Sequence, residues 1–257
     1  MNVVFIGAGN VAWHLSKAFN SAGHCICQVW SRNIAHAEEL ASLHCAQAID
    51  DMDVITADAD CYVIAVPDDY IAGTSARMPD VSGIVLHTSG SVPLSALCQP
   101  RRAVVWFPHS FVKGVEMDYS SLQCCYEGSS ADVEARLSAL LDGVARRTYR
   151  LDSQQRRWAH LASVITNNFA HALNTLAEEI AISHGIDFAM LYPLIVATAE
   201  SAKFPGLASR QTGPAARNDT ATLAAHRSML ASNPGALRVY DDMTALVQSF
   251  QKSDGKE

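Results

Sequence analysis

The sequence predicts an α/β fold: a doubly wound, largely parallel sheet followed by an all-α C-terminal domain. Three observations predict it. A β-branched run drives into a glycine-rich turn at the start of the chain, strand-like and helix-like segments then alternate to residue 151, and beyond that point only helical periods remain.

The first strand, Asn2–Ile6, runs into Gly7-Ala8-Gly9-Asn10-Val11-Ala12 and then into a helical pattern over 11–22 closed by Gly23. This is the G-x-G-x-x-A dinucleotide-binding fingerprint with a strand before it and a helix after it, so the sheet is expected to be of the Rossmann type. Gly7 permits the tight turn, Gly9 lets the backbone approach a diphosphate, and Ala12 is small enough for close helix–strand packing. Free N–H groups at the positive end of the helix then face the phosphates. Gly7, Gly9, Asn10 and Val11 are the expected cofactor contacts. The alternative is a glycine-rich turn in some other α/β protein.

Further strands are expected at 25–30, 46–48, 61–66, 83–87 and 103–107, with outer strands at 123–127 and 148–151. Helices are expected at 34–43, 69–77, 92–97 and 131–144. Asp152-Ser153 caps one long helix that ends at Gly185, and 187–203 forms a second helix bent at Pro193. Segments 220–231 and 236–252 are a third and fourth, and 253–257 is expected to fray. The domains are thus 1–151, binding the cofactor, and 152–257, all helical.

At 257 residues and a net charge of −7, with 49% apolar residues, the composition is that of a globular protein. No basic block or aromatic–basic stripe suggests nucleic acid, no apolar run could span a bilayer, and no cleavable signal is expected before the first strand. Seven cysteines without C-x-x-C or Cys/His spacing argue against a metal site and suit a reducing cytoplasm.

NAD-selective sites carry an acid at the end of the second strand. Here that strand ends Val29-Trp30-Ser31-Arg32-Asn33. Ser31 can bond a 2′-phosphate and Arg32 can pair with it or stack on adenine, so NADP(H) is the expected cofactor; the bland reading of Arg32 is a solvated side chain at a helix start. Val66-Pro67 after the fourth strand is expected along the ribose side, and Asp68 is either a helix cap or a ligand. Ser89, in His87-Thr88-Ser89-Gly90-Ser91, either touches the ligand or caps the next turn. His109, in Phe107-Pro108-His109-Ser110-Phe111, is either a general acid or substrate ligand, or a core histidine bonded to a carbonyl.

On the long helix, Leu161, Ile165, Phe169, Ala172, Leu176 and Ile180 form an apolar stripe. Opposite lie His160, Ser163, Asn167, His171, Asn174 and Glu178, with Asn168 at the edge of the band. So uncharged a hydrogen-bonding face lines a substrate cleft, forms a subunit seam, or is ordinary surface. Arg217 stands just before a helix N-terminus, where the dipole disfavours a cation. It clamps a substrate carboxylate or a cofactor phosphate, or forms a surface salt bridge. His226 reads as structural.

These motifs, with Thr212-Gly213-Pro214 and Arg217, resemble oxidoreductases that join a Rossmann-like NADP-binding domain to a DUF2520 domain, within the 6-phosphogluconate-dehydrogenase-like superfamily. Ketopantoate and pyrroline-5-carboxylate reductases belong to the same group. The resemblance implies an NADP-dependent reductase of a small carbonyl or imine compound bearing a carboxylate, with ketopantoate the first candidate, and a homodimer paired through the helical domain. Better-studied relatives carry a lysine on the long helix one turn before an asparagine. Here Ser163 and Val164 stand at those positions, and no lysine occurs on the helix. The proton must come from His160 or His109, with Asn168 and Ser89 orienting the oxygen and Arg217 holding the acid group. The missing lysine keeps two rivals open: an NADP(H)-binding sensor or scaffold without turnover, and a helical domain that binds a protein partner.

Overall fold

The computed structural model describes residues 1–253, so most of the tail expected to fray lies outside the described residues. Eight strands form one sheet in the order β3-β2-β1-β4-β5-β6-β7-β8: β1 Asn2–Ile6, β2 Cys25–Trp30, β3 Gln47–Ile49, β4 Cys61–Ile64, β5 Ile84–His87, β6 Arg102–Trp106, β7 Gln123–Gly128 and β8 Arg147–Arg150. All neighbours pair in parallel except β6 and β7, which run antiparallel. β4 and β5 are buried at every position because helices and turns cover both faces of the sheet.

The period of two sorts each strand between two cores. Val3, Phe5, Val63, Leu86 and Val105 face one side, where they meet α1 (Asn10–Ser21), α2 (Ile34–Ser42) and α4 (Ala131–Leu141). Val4, Ile6, Tyr62, Ile64 and Val85 face the other, with Met52, Leu97 and Ile71 of α3 (Ile71–Arg77). The chain reverses direction across the sheet between β1 and β4. In such sheets ligands bind at the carboxyl ends of the strands beside that reversal.

Four expectations need correction. The segment 69–77 is a 3-10 turn, Asp68–Tyr70, followed by α3, and 92–97 contains only the 3-10 turn Leu94–Ala96. The long helix is broken into α5 (Ser153–Ser163), a π-helical segment (Val164–Phe169) and α6 (Ala170–Ser183). Asp152 does cap it: its side chain accepts from the Gln155 N–H at 2.8 Å, and the Gln155 side chain accepts from the Asp152 N–H at 3.1 Å. Pro193 bends nothing. The 3-10 turn Phe188–Leu191 ends before it, and the proline sits in the first turn of α7 (Tyr192–Ser201), where its missing N–H is not needed.

The chain divides into two compact units, Met1–Asn168 and Phe169–Glu257. The division therefore falls inside the helical run and not at residue 151, where strands give way to helices. α5 belongs with the sheet because Arg156 on it is fully buried there. In the second unit α6 and α7 are followed by α8 (Thr220–Met229) and α9 (Pro234–Ser253). His226 bonds the Tyr240 hydroxyl at 2.8 Å and Arg227 pairs with Asp241, joining α8 to α9, so His226 is structural as read. Of the apolar side chains described in this unit only Ala181, Leu223 and Ala236 are buried; Phe169, Ile182, Met190, Leu194 and Phe204 are exposed. No helix among the described residues is long and apolar enough to cross a membrane.

Candidate functional site

Two groups of cavities on the first unit are lined by the residues singled out in the sequence. The larger cavity, about 590 Å3, lies over the glycine turn and is lined by Gly7, Gly9, Ser31, Arg32, Val66 and Pro67 among others. Gly7 has φ +116°, and a Cβ there would stand 2.3 Å from the Ala65 carbonyl oxygen, so the turn admits no other residue without moving β4's end. Gly9 faces open space, with nothing within 4 Å of where its Cβ would be. Ala12 is fully buried, as close helix–strand packing requires. Asn10 and Val11 begin α1, where the first N–H groups have no helical partner.

The Ser31 hydroxyl oxygen accepts from the Asn33 N–H at 3.3 Å, which leaves its own proton to donate. The Arg32 guanidinium lies 4.8 Å from the centroid of the Tyr70 ring and has no ion-pair partner among the described residues. Sequence reasoning missed Tyr70, His36, Arg77 and Lys113, which also line this cavity. They come from separate loops and helices and carry no shared pattern.

A second cavity of about 480 Å3 is lined by His109, Ser110, His160, Asn167 and Asn168 beside Trp106. A smaller one of about 190 Å3 is lined by Val11, Asp68, Ser89, Gly90, His109 and His160, among others. The two histidines therefore face both spaces, with Ser89 on one and Asn168 on the other. His109 is exposed rather than a core residue; its Nδ1 bonds the Ser110 carbonyl at 3.0 Å, leaving Nε2 for a ligand. His160 meets Trp106 edge to face, with centroids 5.6 Å apart.

Ser89 does cap the next turn, accepting from the Ser91 and Val92 N–H groups, both at 3.1 Å. Asp68 caps nothing; it accepts from the Ser91 hydroxyl and so ties the loop after β4 to the loop after β5. Beneath this loop His87 is fully buried, its Nδ1 accepting from the Ser89 N–H at 3.2 Å. Burial, aided by the charge of Arg156, pushes its pKa down to about 4, so it stays neutral at neutral pH.

His160, Ser163, Asn167 and Asn168 of the expected polar band line the second cavity together, and Thr166 of the π segment lines it beside them. Asn167 also donates to the Ser110 hydroxyl at 2.5 Å, fastening the segment to the loop that carries His109. One helical turn before His160, Arg156 pairs with Glu127 at 2.6 Å and donates to the Val92 carbonyl at 2.6 Å. It anchors α5 to β7 and to the loop after β5. In the second unit Arg217 is exposed, and no ion pair or side-chain hydrogen bond engages it among the described residues. Asp219 is the cap of α8, accepting from the Thr222 N–H at 3.1 Å.

The glycine turn, the reversal of the sheet beside it and the helical unit that follows define a protein of the Rossmann-type α/β class with an all-α C-terminal unit. Residues 2–86 match the family model described as NADP oxidoreductase coenzyme F420-dependent, and residues 122–247 match the domain of unknown function DUF2520. Among solved structures the chain is 31% identical, with TM-score 0.89, to a protein described as "putative NADP oxidoreductase BF3122" of Bacteroides fragilis; 96% of this chain and 98% of that one are covered. The chain belongs to the family of Rossmann-fold NADP oxidoreductases that carry a DUF2520 domain. Protein TM1727 of Thermotoga maritima shares the fold at 22% identity and TM-score 0.74, covering 99% of this chain and 100% of that one. A reductive aminase of Aspergillus terreus, solved with NADPH and ethyl-5-oxohexanoate, shares it at 14% identity and TM-score 0.74, over 98% and 94% of the two chains. No curated protein matches the sequence.

Proposed function

We propose that the chain is an NADPH-dependent reductase of a small carbonyl or imine compound bearing a carboxylate, with ketopantoate the first substrate to test. One arrangement carries the reading: Pro67 and Asp69 line the glycine cavity edged by Ser31 and Arg32, and Asp68 between them lines an opening faced by two histidines. The residues fit a dinucleotide, since the Gly7 cradle admits no Cβ and the Gly9 backbone is open to a diphosphate. Gly7, Gly9, Asn10 and Val11 hold the diphosphate, Val66 and Pro67 flank the ribose, and Ser31 and Arg32 hold the 2′-phosphate. When bound, NADPH supplies hydride to the electrophilic carbon of the substrate.

The chain's own task is then the proton. His160, or His109 through Nε2, holds it facing the cavity and gives it to the substrate oxygen or nitrogen. Asn168 and Ser89, whose hydroxyl also caps the turn after β5, orient that atom, and the exposed Arg217 guanidinium, whose charge also acts on Asp219, takes an acid group. The exposed apolar side chains of the second unit support a homodimer formed through the helical domain. The test is calorimetry with NADPH and NADH, followed by NADPH consumption with 2-oxo acids and cyclic imines. Tighter NADPH binding and turnover of one such compound are expected. Tight binding with no turnover favours the sensor, a reading supported by the absence of lysine from the long helix.

A further inference from the structure

The loop after β6 straps across the first unit, and its residue Lys113 reaches the glycine cavity. The strap is pinned through the peptide group that joins Val112 to that residue. The Lys113 N–H donates to Asn10 Oδ1 at 3.3 Å, and the preceding carbonyl, that of Val112, accepts from Nε2 of the buried His14 at 2.8 Å. Lys113 Nζ pairs with Glu39 at 2.5 Å and lies 4.8 Å from the Trp13 ring centroid. Lys17 Nζ lies 4.8 Å from the same centroid, so two ammonium groups crowd one indole. Glu39 sits on α2, the helix that starts directly after Ser31-Arg32-Asn33.

We infer that Lys113 is a second cation for the phosphate monoester on the adenosine ribose, joining Ser31 and Arg32, and that Glu39 holds it in place until that phosphate arrives. This rests on the NADPH reading. The Lys113 and Glu39 side chains are 32% and 49% exposed, and an ion pair in such surroundings contributes little and exchanges readily. A phosphate near two negative charges offers the ammonium a stronger partner than one carboxylate. The Asn10 and Val112 bonds hold the strap's backbone while the long side chain swings.

The test is calorimetry on the full chain with NADPH, NADH, 2′,5′-ADP and 5′-AMP, each pair differing only in the 2′-phosphate. Lys113→Met should weaken NADPH and 2′,5′-ADP by about tenfold and leave NADH and 5′-AMP within about twofold. Lys113→Arg should restore most of the loss, and Glu39→Gln should tighten the 2′-phosphorylated pair alone. An equal loss across all four ligands, or no loss, overturns the inference while the NADPH reading stands. A wild-type chain that prefers NADH overturns that reading and the inference together.

Discussion

Gly90 is the floor on which His160 rests: a Cβ at Gly90 would lie 2.5 Å from the imidazole Cδ2 and 2.8 Å from Trp106 Cε2. The two rings pack edge to face against each other and Trp106 is buried, so they would have to shift together. Gly90→Ala should therefore displace His160, lowering turnover and costing about 1–3 kcal/mol of stability. NADPH affinity should be unchanged, because Gly90 does not line the glycine cavity. Steady-state kinetics with a urea melt check both; wild-type turnover in a folded variant would remove the assigned role of His160.

His160→Ala and His109→Ala separate the two proton donors. The true donor should lose at least ~10² in kcat when truncated, with little change in the Kd of NADPH. The other should lose far less. Equal, small losses in both variants would sink the assignment.

Acid should destabilise the first unit in a defined window. The pKa of His87 is about 4 in the folded chain against 6.5 for the free side chain, so the unfolded chain binds more protons between those values. Stability then rises with pH across the window and falls as acid is added, by up to about 3 kcal/mol from this residue. Burial also lowers the pKa of His24 and His44, and they act in the same direction. Urea midpoints at pH 7, 6, 5 and 4 should show the slope, reduced in His87→Gln.

Arg156→Met should cost about 3 kcal/mol or more, because Glu127 and the Val92 carbonyl lose a buried partner. His160 is carried on the same helix, so turnover should fall alongside. A denaturation midpoint equal to the wild type's would show that α5 is anchored elsewhere.

The glycine turn was legible in the sequence because its demands are local: one residue must adopt φ +116° and another must leave the backbone bare. The strands were legible too, since burial on both faces needs unbroken apolar runs. The contact between Gly90 and His160 was not, because it joins a loop after β5 to a helix remote in sequence. Arg156, followed by Arg157, reads as one of two solvated cations until the fold buries it. The π segment had a faint signal: Val164-Ile165-Thr166-Asn167-Asn168 strings together five weak helix formers. Without a glycine or proline nothing marked a break, and the uniform 100° period was drawn straight through it. Lys113 was overlooked because the strap has neither period nor motif.

The scarcity of buried apolar groups in Phe169–Glu257 bears on how this half of the chain can exist. Excised as a separate polypeptide and kept dilute, it has too little interior to offset the entropy of ordering four helices. It should then hold helical circular dichroism at best while binding hydrophobic dyes and melting without a sharp transition. Autonomy belongs to the sheet-bearing half, and the helices need company to become a rigid body.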